Sequence, residues 1–275
     1  SDIGYLGMVF AYVIDFKTGA FKEETLALPF GGGVKLPRNS TEGVTEYSKK
    51  DLYLRFRAEG EVRQLSIRWP GFGGSALNAE VALTCPADHE SMNIVIPIPG
   101  KRFYYNRKVN CMPAEGWVEY QGTRHLIEPT TCLGSLDWGR GVWEYSSFWV
   151  WASASGFLPD RRRIGLNMGC GFGDTSAATE NCFILEGKVH KLSELKFTYD
   201  NRNFKAPWTM SSPDGRLELV FTPFFERVAK IDALVLKSEV HQLIGRYNGK
   251  VITDTGEKLE IVDLIGWAEE HNAKW

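Results

Sequence analysis

Apolar and polar residues alternate through much of this chain. In DLYLRFRAEG, Leu52, Leu54 and Phe56 fall on one side and Arg55 and Arg57 on the other, the period-two signature of a half-buried strand. RLELVFTPFFERV repeats it with Leu217, Leu219, Phe221 and Phe225, and NIVIPIP reads as a short buried strand closed by prolines. Between such runs stand Thr18-Gly19, Glu59-Gly60, Gln121-Gly122, Glu186-Gly187, Asp214-Gly215, Asn248-Gly249 and Thr255-Gly256. Pairs of this kind supply the positive φ that tight hairpin turns need. Many short strands joined by tight turns predict an antiparallel all-β architecture. AKIDALVLKSEVHQLIGRY has the propensity of a helix but lies between strand-like runs, and is read as strand; the tail WAEEHNAKW is expected to add a helical turn. The Pro-, Thr- and Gly-bearing stretch EPTTCLGSLDWGRG marks a seam near residue 130 and predicts two β-barrel domains, 1–130 and 131–275.

Composition narrows the partners. Aromatic residues make up 13% of the 275, with 28 glycines, which suits pleated packing surfaces and turns. The 32 basic and 34 acidic side chains leave a net charge of −2, so bulk charge gives no reason to expect a nucleic-acid partner. Arg161-Arg162-Arg163 follows Pro159-Asp160 and reads as a solvated turn. No apolar run approaches 18 residues, which excludes a transmembrane helix by length. SDIGYLGMVFAYVIDF lacks the basic start and cleavage site of a signal peptide. Cys85, Cys111, Cys132, Cys170 and Cys182 are odd in number and widely spaced, which points to a reducing, cytoplasmic compartment.

Three stretches carry candidate chemistry. DWGRGVWEYSSFWVWASASGF holds Trp138, Trp143, Trp149 and Trp151 behind Asp137 and Arg140. An acid and a base beside so many rings pair to avoid desolvation alone, or else Asp137 is an acid retuned by apolar walls with Arg140 holding it or a ligand oxygen. GLNMGCGFGDTSAATENCF spaces Gly169, Gly171 and Gly173 like a dinucleotide loop, but no βαβ pattern surrounds it. Glycines in a bulged loop or beneath a large ring explain it better. The same stretch sets Asn167, Thr179, Glu180 and Asn181 beside core-like strands, where polar groups form structural networks or touch a ligand. In KSEVHQLIGRY, Glu239, His241 and Leu243 share one strand face, so a carboxylate can orient the imidazole for proton transfer. There is no G-x-S-x-G elbow, Walker loop or H-E-x-x-H, and no metal-site spacing. Neither a metal nor a cofactor is therefore expected.

DWGRGVWEYSSFWVWASASG, RIGLNMGCGFGDTSAATENCF, GRLELVFTPFFERVAK, SEVHQLIGRYNGKV and LIGWAEEHNAKW, in this order, resemble the family known as domain of unknown function 2804; NIVIPIPGKRFYYNRKVNCMPAEGWV fits as well. Glu144 and Val150 depart from that pattern, standing where Pro and Asn are common. The family is distantly similar to the carotenoid hydratase-like group. That similarity implies two lipocalin-like antiparallel β-barrels side by side, and an acid working in an aromatic pocket on isoprenoid- or polyketide-like molecules.

Residues and resemblance together predict a cofactor-independent acid–base enzyme of hydratase, isomerase or cyclase type, acting on a hydrophobic small molecule. Asp137 or Glu180 is the expected acid, with His241 as the other proton-transfer group. Arg140, Asn167 and Asn181 would orient the ligand, and Trp143, Trp149 and Trp151 would line the pocket. A carrier for such a molecule uses the same cavity without chemistry. A packed scaffold, in which the tryptophans are simply core, needs no cavity at all.

Overall fold

A computed structural model describes residues 1–232 and 236–274. The expected all-β class holds. In chain order the strands begin with β1 (Leu6–Ile14), β2 (Phe21–Pro29), β3 (Val34–Lys35), β4 (Gly43–Lys49), β5 (Leu52–Glu59), β6 (Val62–Trp69) and β7 (Leu77–Thr84). Next come β8 (Met92–Ile98), β9 (Arg102–Tyr120), β10 (Thr123–Ile127), β11 (Leu133–Val142), β12 (Ser146–Phe157) and β13 (Arg163–Cys170). The last are β14 (Cys182–Leu185), β15 (Lys188–Lys191), β16 (Lys196–Thr198), β17 (Trp208–Ser211), β18 (Leu217–Asp232), β19 (Lys237–Ile252) and β20 (Lys258–Lys274). Among the described residues the only helix is a single 3-10 turn, Phe72–Gly74.

Most of the predicted turns form. Gln121-Gly122 and Glu186-Gly187 join β9 to β10 and β14 to β15, with φ of 53° and 74° and of 46° and 78°. Asn248-Gly249 does not turn the chain. It lies inside β19, at a register shift against β20 between Tyr247 and Gly249, where the extra residue is taken up as a bulge. The tail is not helical either. Ser146–Ala154 of β12 pairs with Gly266–Lys274 on one side of β20 and β19 pairs on the other, so ladder bonds on both edges override local helix propensity. The stretch read as strand around residue 236 is strand in β18 and β19, while 233–235 and Trp275 lie outside the described residues.

The chain forms two compact units: Ser1–Ala87 with Met112–Leu133, and Asp88–Cys111 with Gly134–Trp275. In the first, β10-β9-β7-β6-β5-β4-β3 form one sheet, and the β1–β2 hairpin places Val9, Ala11, Val13 and Leu26 against Leu54, Trp69, Phe72 and Leu77. In the second, nine strands run in the order β15-β14-β13-β12-β20-β19-β18-β17-β16.

The nine-stranded sheet has two unlike faces, because successive residues of a strand point to opposite sides. Val150, Ala152 and Ala154 of β12, with Ile164, Leu166 and Met168 of β13, enter a core completed by Phe183, Trp208, Leu219, Phe221, Leu243 and Tyr247. Burying each of the larger of these side chains contributes about 1.5–3 kcal/mol. On the other face stand Trp149, Trp151 and Ser153. Ladder partners share a face, so Asn167, Gly169, Trp267, Glu269 and His271 stand with them. The β8–β9 hairpin of the same unit packs over this face, with Met92, Ile94, Ile96 and Tyr104 against Cys182, Ile184 and Val189. The functional candidates lie in the layer between hairpin and sheet.

Candidate functional site

The layer is built from polar side chains at every second position of β9. Tyr104, Asn106, Lys108 and Asn110 leave one face of the strand, and three glycines of the facing elements give them and Glu180 room. A Cβ at Gly139 would overlap the Tyr104 ring and hydroxyl, and one at Gly169 would overlap the Glu180 carboxylate. A Cβ at Gly165 would stand 2.7 Å from the Asn110 Cβ. Gly171, with φ of 89°, packs beneath the Phe148 ring. The glycine run is thus the packing device its sequence suggested.

Asn110 ties the layers together. Its Nδ2 donates to Ser153 Oγ and Ala154 O, each at 3.0 Å, and lies 3.3 Å from Leu166 O. Two residues earlier, the Lys108 ammonium is almost fully enclosed. It sits 2.6 Å from Asp137 Oδ1 and 3.9 Å above the Trp151 ring. Lys108 is therefore the cation that neutralises Asp137. Arg140, three positions further along β11, is directed to the opposite face by the strand's alternation and is exposed. The Asp137 side chain keeps 46% of its surface accessible, so the buried ion pair has one side open to solvent.

Beside this pair lies Glu180. Its Oε2 accepts from Asn106 Nδ2 at 3.2 Å and Asn167 Nδ2 at 3.4 Å. Asn167 is fully buried; its Nδ2 also donates to Glu180 O at 2.9 Å, and its Oδ1 accepts from Trp151 Nε1 at 2.9 Å. Burial raises the Glu180 carboxyl above the ordinary carboxylate range, and the negative Asp137 adds to the rise. The Lys108 ammonium and the Asn167 hydrogen bond oppose that shift without cancelling it. The Tyr104 hydroxyl is pushed upward by burial and by the charges of Asp137 and Glu180.

A second buried carboxyl, Glu269, stands opposite Trp151 in the ladder. It accepts from Trp149 Nε1 at 3.0 Å and from Gln242 Nε2 at 2.9 Å, and burial raises it as well. Trp149 in turn meets an aromatic group. Its ring centroid is 6.2 Å from Trp143, 5.7 Å from Phe172 and 4.1 Å from His271. Tyr104 contacts Trp143 at 5.1 Å and Phe172 at 5.2 Å, edge to face.

Of the residues singled out in the sequence, Asp137, Glu180, Trp143, Trp149, Trp151 and Asn167 therefore meet in one layer. Three others stand elsewhere. Arg140 is on the opposite face of β11. Asn181 is buried and braces backbone, accepting from Gly169 N at 2.7 Å and donating to Ser193 O at 3.1 Å. His241 shares a face with Glu239, as alternation predicted, but that is the sheet's other face. Its Nδ1 is 2.9 Å from Glu226 and its Nε2 3.4 Å from Glu239, with the Phe204 ring stacked on it at 4.2 Å. Val150 is buried on that core face too. The sequence reading missed Tyr104, Asn106, Lys108, Gln242 and Glu269. Polar residues at every second position of YYNRKVN were the signal for the first three.

Among the described residues no helix is long and apolar enough to cross a membrane, and no group of His, Cys, Asp and Glu is arranged to hold a metal ion. The architecture and this layer define an all-β protein of lipocalin-like type with a polar and aromatic site in its second unit. The chain belongs to the family described as Domain of unknown function (DUF2804), matched over residues 1–275. No curated protein matches it in sequence. Among solved structures, a protein from Nitrosomonas europaea provisionally named AttH is similar to it at 13% identity and a TM-score of 0.50, over 96% of this chain and 81% of that one. Kievitone hydratase from Nectria haematococca is 12% identical, with a TM-score of 0.47 over 98% of this chain and 81% of that one. CghA with Sch210972 is 10% identical, with a TM-score of 0.46 over 98% and 85%. At such identities the AttH likeness speaks for the fold alone.

Proposed function

We propose that the second unit carries an acid–base site for a hydrophobic small molecule, with Glu180 as the proton donor. One observation carries the reading: in the half-buried Glu180, desolvation raises the carboxyl above its ordinary range, and two amides hold it beside an ion pair and a bank of rings. A carboxylic acid that keeps its proton toward neutral pH can deliver it to a carbon–carbon double bond or an enol. Positive charge developing on the ligand would meet the ring faces of the tryptophans, which attract cations. Asp137, paired with Lys108 and open to solvent on one side, is the group to accept a proton from an adding water or from a neighbouring carbon. Hydration, isomerisation and cyclisation all share these steps. Asn106 and Asn167 fix the carboxyl, and Glu269 fixes the Trp149 indole. His241 and Asn181 have no part in this scheme, and Arg140 leaves β11 on the face opposite Asp137.

Native mass spectrometry of the purified protein, followed by organic extraction, supplies the first candidate ligands for turnover assays. With a substrate in hand, Glu180→Gln keeps the shape of the carboxyl and removes its proton. We expect it to lower kcat by about 10²-fold or more. Asp137→Asn should lower it as well. If both variants turn over as the wild type does, the acid–base reading is wrong. A ligand recovered unchanged, with carboxyl variants that alter only its affinity, would make the chain a carrier.

A further inference from the structure

Asn106 and Lys108 leave β9 on the same face, and each has hydrogen-bonding capacity that no described residue uses. Asn106 is only 2% exposed; its Nδ2 donates to Glu180, while its Oδ1 is buried without a partner. The Lys108 ammonium has three N–H bonds. One is directed to Asp137 at 2.6 Å, and the ammonium faces the Trp151 ring at 3.9 Å, which leaves a third direction unused. An acceptor and a donor are thus left over, two positions apart on one strand, beside the proposed acid.

Unsatisfied buried groups weaken a protein unless something pairs with them. A hydrocarbon ligand would return no hydrogen bond to either group. A hydroxyl has the chemistry to answer both, since its oxygen can accept from Lys108 Nζ and its hydrogen can be donated to Asn106 Oδ1. The rings of Trp143, Trp149 and Phe172 offer flat apolar surface to the rest of such a molecule.

We infer that the ligand of this layer is an oxygenated, conjugated molecule, a phenol or enol, whose hydroxyl sits between Lys108 Nζ and Asn106 Oδ1. The inference rests on the proposed site and narrows its substrate from apolar molecules at large to those with a hydroxyl on a flat unsaturated frame. A conjugated ketone would use Lys108 through its enol form in the same place.

Three probes of one shape test it: 2-naphthol, 2-methoxynaphthalene and naphthalene, titrated into the full chain with tryptophan fluorescence or calorimetry as readout. 2-Naphthol should bind about tenfold or more tightly than naphthalene, since it satisfies both buried groups. 2-Methoxynaphthalene can accept but not donate, so it should lose most of that advantage in the unmodified protein. Lys108→Met and Asn106→Leu should each bring the naphthol-to-naphthalene ratio close to one. Equal affinities for the three probes, a ratio unchanged in both variants, or no saturable binding of any probe would overturn the inference. The methoxy comparison decides even where a variant fails to fold. The ratio reads ligand oxygen and not proton transfer. A missing preference with turnover that still depends on Glu180 therefore sinks only this inference, and a clear preference with turnover indifferent to Glu180→Gln sinks only the acid–base reading.

Discussion

The two faces of the nine-stranded sheet differ in what they leave unfinished. On one, Val150, Ala152 and Ala154 pack into an apolar core whose buried tyrosine is satisfied, the Tyr247 hydroxyl donating to Trp267 O at 2.6 Å. On the other, residues of the same strand, Trp149, Trp151 and Ser153, share a layer with a buried ammonium and two raised carboxyls. Two amide oxygens, Asn106 Oδ1 and Gln242 Oε1, are buried there without a partner. A layer optimised only for stability would replace such groups with well-packed apolar ones at no loss. The contrast separates what holds the unit together from what the unit is built to do.

The comparison can be broken most directly by stability measurements. Phe221 is fully buried on the apolar face, and Phe221→Ala should cost about 3–5 kcal/mol in urea unfolding. Glu180→Gln on the polar face should cost no more than about 1 kcal/mol, since Gln keeps the shape and an oxygen to accept from Asn106 and Asn167. Equal losses would make the polar layer a second structural core. The ion pair gives a smaller and asymmetric effect. Asp137→Ala strands the Lys108 ammonium, whose side chain is 6% exposed, and should cost about 3 kcal/mol or more. Lys108→Met strands a carboxylate that is 46% exposed and can hydrate, so its cost should be nearer 1 kcal/mol. Urea midpoints of the two variants settle the order; the reverse order would mean that Asp137, not Lys108, is the enclosed partner.

Much of this was legible along the chain, for reasons that differ by residue. Alternation identified β5, β8 and β18, because each has one face buried. By the same rule Trp149 and Trp151, two apart on β12, share a face. What alternation cannot supply is register. His241 looked as good a proton-transfer group as Glu180 until its ladder partner was known. Standing across from Glu270, it faces the opposite way from Glu269 and Trp151. Asp137 was recognised as a carboxylate among rings, but Arg140 stood near it in sequence, while its counter-ion, Lys108, lies a whole hairpin away. Asn248-Gly249 failed as a turn because β19 runs straight through it, paired with β18 on one side and with a bulge of β20 on the other. The tail failed as a helix because helix propensity is local and sheet pairing is not.

The smallest effect discriminates best, because it is a slope rather than a loss. Burial raises the Glu269 carboxyl in the folded protein above its unfolded value of about 4.3. Over that interval the folded state holds more protons than the unfolded one, so this group's contribution falls as pH rises through it. His271 has the opposite sign. Burial and Arg227 lower its folded value to about 4, so stability rises with pH from there toward the unfolded value of about 6.5. The two slopes oppose each other in the wild type. Subtracting the wild-type curve from that of Glu269→Gln leaves the imidazole in both and removes its part. Gln keeps a carbonyl to accept from Trp149, and exchanging the second oxygen for an amide nitrogen opposite Gln242 shifts the curve by an amount that does not vary with pH. The difference should therefore grow in favour of the variant as pH rises from the unfolded value of about 4.3 toward neutral, followed by urea unfolding at each pH. A difference that stays flat over that range would mean that Glu269 ionises like a surface carboxylate, and the polar face would then lack the low-polarity setting that makes Glu180 a plausible acid.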